Sequence, residues 1–140
     1  MIHLRDLLLY IISVYSRIKG RGIGRTKLMK LVFLIDYHAI KELGSKITKI
    51  TWFKWLYGPF SRAVLDTLDV LEDEGIVEIE EIPDIGRFYK YSKRIVLPEK
   101  YKQIVDRVLN MYMETPLDRL LDKVYNLPEV KEKKIGDIIL

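Results

Sequence analysis

The sequence predicts an α+β fold, mainly α: a winged-helix-like helical domain with a β-hairpin and two C-terminal helices. Three observations predict it. Apolar residues recur at three- and four-residue steps in several separate stretches, the spacing of one buried helix face. The period then drops to two in "IVEIEEI" and "RFYKYSKRIVL", on either side of the turn "PDIG". An amphipathic helix leads straight into that hairpin, as in the back half of a winged helix. The front half departs from the pattern, because no short helix pair precedes the first strand.

Leu4, Leu7, Leu8, Ile11, Ile12 and Tyr15 mark a first helix over about 3–18. "KGRGIGR" breaks it and reads as a flexible interhelix turn. Thr26 is placed to cap the second helix, "KLMKLVFLIDYHAIKEL", which closes at Gly44. From Ile47 to Tyr57 the period shifts. Phe53, Trp55 and Tyr57 alternate with Trp52, Lys54 and Leu56, which favours a short strand with one set buried, a single helical turn being the competing reading. In "KWLYGPFSRAVL", Gly58-Pro59 turns the chain and a third helix follows over 61–74. Ser61 is its N-cap, and Phe60 and Leu65 stand at the two ends of a hydrophobic staple. Gly75 ends that helix and the hairpin follows. Pro98 opens a fourth helix to about 113, and Pro116 a fifth to Tyr125. In the tail, Ile135, Ile138 and Ile139 are spaced for one helical face.

At 140 residues the chain has single-domain size, and no linker, repeat or low-complexity segment divides residues 1–140. The absence of cysteine excludes disulfides and thiolate chemistry. Low amide content with abundant Lys, Glu and Ile suggests a thermophile's cytoplasm. No apolar run reaches the roughly 18 residues of a membrane span. The net charge of +4 is unevenly spread. Residues 1–31 hold seven bases and one acid, residues 59–86 nine acids and one Arg, and residues 87–110 seven bases and two acids.

Each candidate site has a plain reading beside it. "GRGIG" lacks the preceding strand and the Gly-Lys-Ser/Thr ending of a phosphate loop. Asp36 and His38 are two apart, not the three or four of helix-borne metal ligands, and are read as facing solvent or a partner. No acid/base dyad stands out, so neither an enzyme nor a cofactor is expected. Arg21, Arg25 and Lys27 belong to a basic first turn, read as a solvated surface or as phosphate contacts. Arg87 and Lys90 interleave with aromatics as in nucleic-acid strands, but Glu78, Glu80 and Glu81 across the hairpin explain them equally well. Helix three is the deciding element. Its outward face is Arg62, Asp66, Asp69 and Asp73, whose carboxylates would repel a phosphate backbone and suit a basic protein. Trp55, Tyr57 and Phe60 add aromatic area of the kind that anchors protein interfaces, although such residues are more often core.

The string from Thr26 to Val77 resembles the Panacea domain, the SocA-like antitoxin domain. A Lys-Leu-x-Lys-Leu helix runs to an Asp and a nearby His, then Gly, Ile, aromatics, Gly-Pro and a helix. Lys27, Leu28, Lys30, Leu31, Asp36, His38, Gly44, Ile47, Trp55, Tyr57, Gly58 and Pro59 fall on it in order, and the resemblance is strongest over 25–77. The chain departs from the pattern at Phe60, where a small aliphatic residue is usual, and at Arg62, where proline is common. The resemblance implies a non-enzymatic antitoxin that neutralises a toxin by direct contact. The expectation is therefore a protein-binding module that meets a basic toxin through Trp55, Tyr57, Phe60, Arg62, Asp66, Asp69 and Asp73. The alternative is a winged-helix DNA-binding regulator using Arg21, Arg25, Lys27, Arg87 and Lys90.

Overall fold

Helix periodicity builds the frame of the computed structural model, which describes residues 1–140. The fold is α+β and mainly α. Helix α1 (Leu4–Lys19) buries its apolar stripe, including Leu7, Leu8, Ile11 and Ile12. Helix α2 (Arg25–Leu43) is covered on all sides from Leu28 to Tyr37, and so forms the central rod. Both end in a left-handed glycine, Gly20 and Gly44, whose N–H groups donate to the Ser16 and Ile40 carbonyls. Helices α3 (Arg62–Asp73), α4 (Glu99–Tyr112), α5 (Leu117–Tyr125) and the short α6 (Pro128–Lys131) complete the helical set. The α3 helix packs on α1, while α4 and α5 pack on α2. No helix is long and apolar enough to cross a membrane.

"GRGIG" is not a flexible turn. Ile23–Gly24 forms a strand, β1, that pairs antiparallel with β5 (Gly86–Lys90), and β5 pairs with β4 (Glu78–Ile82), giving the order β1-β5-β4. Ile23 is fully buried opposite Tyr89. Gly22 lies so close to that strand that a Cβ there would sit 2.9 Å from the Tyr89 carbonyl oxygen. This pairing keeps the backbone extended as far as Gly24, so α2 begins at Arg25. Gly24, not Thr26, is the N-cap residue, and no side chain caps the helix. Between β4 and β5, Glu78 lies opposite Lys90 and Glu81 opposite Arg87, the expected register. Arg87, however, gives Nη2 to Glu72 of α3, which ties the hairpin to the helix before it.

The second correction concerns residues 47–60. Strand β2 is only Phe53–Trp55, and Gly58-Pro59 is not the corner before α3. Gly58–Phe60 is itself a strand, β3, paired with β2 so that Lys54 faces Pro59. The turn is Leu56-Tyr57. Ser61 is the N-cap residue of α3 as expected, but its buried hydroxyl makes no capping bond. Residues 136–140 form no helix, contrary to the spacing of the isoleucines. They run extended along β2: the Trp52 and Lys54 N–H groups donate to the Leu140 and Asp137 carbonyls, and Ile139 N–H donates to the Trp52 carbonyl. Ile138 is exposed, and Ile139 packs against the core.

Candidate functional site

Buried charges mount the β2–β3 corner on α2. Asp36 is fully buried, neither solvent-facing nor partner-facing. It accepts hydrogen bonds from the Ile47 and Thr48 N–H groups, the Thr48 hydroxyl and Trp52 Nε1. Burial raises its carboxyl above the ordinary range, and these bonds oppose the rise. Lys30 donates from Nζ to the Pro59 carbonyl at 2.7 Å, and desolvation lowers its pKa to about 8. Lys54 donates to the Lys133 and Lys131 carbonyls, and its ammonium lies 4.7 Å from the Tyr125 ring centroid. His38 is half-buried against the Tyr112 hydroxyl, and desolvation lowers its pKa. None of these groups faces a common cavity, and no three His, Cys, Asp or Glu side chains gather as metal ligands.

Along β2 the set holding Trp52 and Lys54 faces in, and the set holding Phe53 and Trp55 faces out. Lys54 points in at 5% exposure, while Trp55, Leu56 and Tyr57 stand out at 51%, 59% and 72%. Trp55, Tyr57 and Phe60 line one groove of about 210 Å³ with Met29, Leu65 and, at its far end, Arg25. Leu65 places α3 on the groove's rim. Along the outer side of that helix, Arg62, Asp66, Asp69 and Asp73 are all exposed, with Arg62 paired to Asp66 at 3.7 Å. The residues considered for partner contact thus fall on two adjoining surfaces, an aromatic corner and an acidic helix face.

The residues considered for nucleic acid gather less completely. Arg21, Arg25, Lys27 and Arg87 line a separate cleft of about 480 Å³, joined there by Lys19. Lys90 lines a neighbouring depression with Arg21, Glu78 and Glu80. Lys27 donates to the Thr115 carbonyl, and burial together with the Lys19 charge lowers its pKa. Lys19 binds Glu114, whereas Arg21 and Arg25 form no ion pair.

Sequence reasoning missed Asp36, Lys30 and Lys54 as the mounts of the corner. The available signal was a charged side chain on an otherwise apolar helix stripe, where burial requires a partner. The chain matches no curated protein and no solved structure. One family model covers residues 28–129, reaching past the 25–77 string through the β4–β5 hairpin, α4 and α5. On that match the chain belongs to the antitoxin SocA-like Panacea domain family.

Proposed function

We propose that this protein is a non-enzymatic, cytoplasmic protein-binding module, the antitoxin half of a toxin–antitoxin pair that acts by covering a surface of its toxin. The exposed aromatics of β2 and its turn carry the reading. Burying a large apolar side chain contributes about 2–3 kcal/mol, yet the strand turns a lysine inward and leaves Trp55 and Tyr57 in solvent. Trp52, on the same inward face as Lys54, is fully buried, but Trp55 and Tyr57 gain little burial from folding, whereas a protein interface supplies it, since exposed aromatics at a groove are its usual anchors. The acidic face formed by Asp66, Asp69 and Asp73 complements a basic region of the toxin. The test is affinity purification of this protein from its native cells after nuclease treatment. One small protein in stoichiometric amount is the expected result. With that partner in hand, Trp55→Ala combined with Tyr57→Ala weakens binding by about 2–4 kcal/mol. Unchanged affinity in that variant, measured by calorimetry, would remove the aromatic corner from the interface.

A second reading, a winged-helix DNA-binding regulator, draws support from the order α1, β1, α2, α3, β4, β5, interrupted by the β2–β3 hairpin between α2 and α3, with the sheet arranged β1-β5-β4. Against it stands the exposed acidic face of α3, the helix that would enter the major groove. It predicts duplex affinity that falls steeply with salt. Absent or salt-independent binding removes it.

A further inference from the structure

The aromatic groove and the basic cleft share Arg25 and Thr26 in their walls, so they adjoin at the first turn of α2 as one candidate channel. Its cationic end is lined by Lys19, Arg21, Arg25, Lys27 and Arg87, against one carboxylate, Glu114. Two of these guanidiniums, Arg21 and Arg25, are exposed and unpaired, and the buried Nε of Arg87 has no hydrogen-bond partner. The cleft already holds one example of the group it suits. Glu114 lies against Lys19, whose hydrogen bond holds its carboxyl below the usual range, with Lys27 and Arg21 adding to the effect. The other end is apolar, formed by Met29, Trp55, Tyr57, Phe60 and Leu65.

We propose that this channel binds an acidic segment of the protein partner, a short run of Asp or Glu followed by one aromatic or aliphatic side chain that enters the groove. The proposal deepens the protein-contact reading and rests on it. Nucleic acid is the poorer occupant for two reasons. A phosphate backbone would run on past the cleft onto the carboxylates of Asp66 and Asp69 on α3 or Glu78 and Glu80 on β4, all exposed. It would also leave the apolar half of the channel empty, where a peptide side chain gains by burial. The partner would then be charge-patterned, with a basic region over α3 and an acidic segment beside it.

The test compares the full chain with an Arg21→Glu, Arg25→Glu double variant, both arginines being exposed, so that folding is preserved and checked by thermal melting. Displayed random short peptides are selected on the wild-type protein. Enrichment of Asp and Glu next to Trp, Phe or Leu is expected, with affinity at least about tenfold lower for the double variant, equivalent to about 1.4 kcal/mol. The charge-neutral Arg21→Gln, Arg25→Gln pair is expected to fall between the two. Peptides without acidic enrichment, no selected peptides, or equal binding to the double variant would overturn the proposal. So would a labelled DNA duplex that binds the wild type and is lost in the double variant. The natural partner separates the two levels of inference. If both forms capture it equally, the channel assignment fails and the protein-contact reading stands; if the wild type captures none, that reading fails with it.

Discussion

β2–β3 and β4–β5 are both antiparallel hairpins, yet different forces hold them to the helices. The β4–β5 hairpin is fixed by backbone pairing: β5 lies between β4 and β1, and the buried Tyr89 and Ile23 lock that seam to the core. Its outer surface is polar, with Glu78, Glu80 and Glu81 exposed. The β2–β3 hairpin has three-residue strands, pairs along β2 with residues 136–140, and is seated on the helices by buried charges, Asp36, Lys30 and Lys54, while its outer surface is aromatic. An isolated short hairpin has little stability of its own. A charge-based mount leaves its apolar side chains free to face outward. A paired and apolar mount consumes them. The region that displays aromatics is therefore also the one whose stability depends on ionisation.

The largest way to break this contrast is Asp36→Ala. It leaves Trp52 Nε1, the Thr48 hydroxyl and two N–H groups buried without an acceptor. We expect a loss of about 4 kcal/mol, read as a lower urea midpoint at unchanged slope, with fast amide exchange over 47–60 and slow exchange kept in β5. Equal exchange in both hairpins would show that they share one mount. Next is the alkaline behaviour of Lys30. Its folded pKa, about 8, lies below its ordinary value of 10.5, so between the two the unfolded chain binds more protons and stability rises with pH. The penalty of the buried ammonium is in full force below pH 8 and is relieved as pH rises to about 10.5. Relative to Lys30→Met, the wild type is expected to gain up to about 3 kcal/mol over that window, measured by urea titrations at several pH values. A flat difference would mean the ammonium is solvated.

Much of this was readable in advance, and the failures have a common physical source. The stripes of α1, α2, α4 and α5 are local patterns, as is the turn between β4 and β5, so the sequence announces them. β1 is different. Two residues of a glycine-rich stretch become a strand only because β5, more than sixty residues later, runs beside them. Gly58-Pro59 reads as a turn by composition, and its strand character comes from Lys54 opposite and Lys30 beneath. Alternation separated Trp52 and Lys54, which face in, from Phe53, Trp55 and Tyr57, which face out, but failed at Leu56, which the turn leaves exposed. It did not say which set faces in, and hydrophobicity alone would have put Trp55 inside and Lys54 out. The carbonyls of Lys131 and Lys133 that receive Lys54 lie far along the chain, invisible to any local window. The acidic face of α3 was legible because a solvent-facing stripe needs no distant partner.

Two smaller effects sharpen the comparison from the other hairpin and from α3. Gly22→Ala drives a methyl group into the Tyr89 backbone, which cannot swing aside as a side chain would. We expect a loss of about 2 kcal/mol, with exchange rising at β5 and not at 47–60. Asp66→Lys with Asp69→Lys changes stability by no more than about 0.5 kcal/mol, because both side chains are exposed. On the proposed reading it weakens binding of the protein partner by about 1 kcal/mol or more. Toxin binding that survives this reversal would take α3 out of the interface.

The extended run that ends at Leu140 has a consequence for handling the molecule. Its carbonyl receives the Trp52 N–H, so the terminus is pinned a few residues from the exposed Trp55. Those residues occupy the outer margin of β2, which would otherwise offer bare donors and acceptors to a neighbouring copy. Because the run is antiparallel to β2, a tag, fusion or surface linker attached at this end leaves past Trp52 toward Ile50, away from the turn that carries Leu56 and Tyr57.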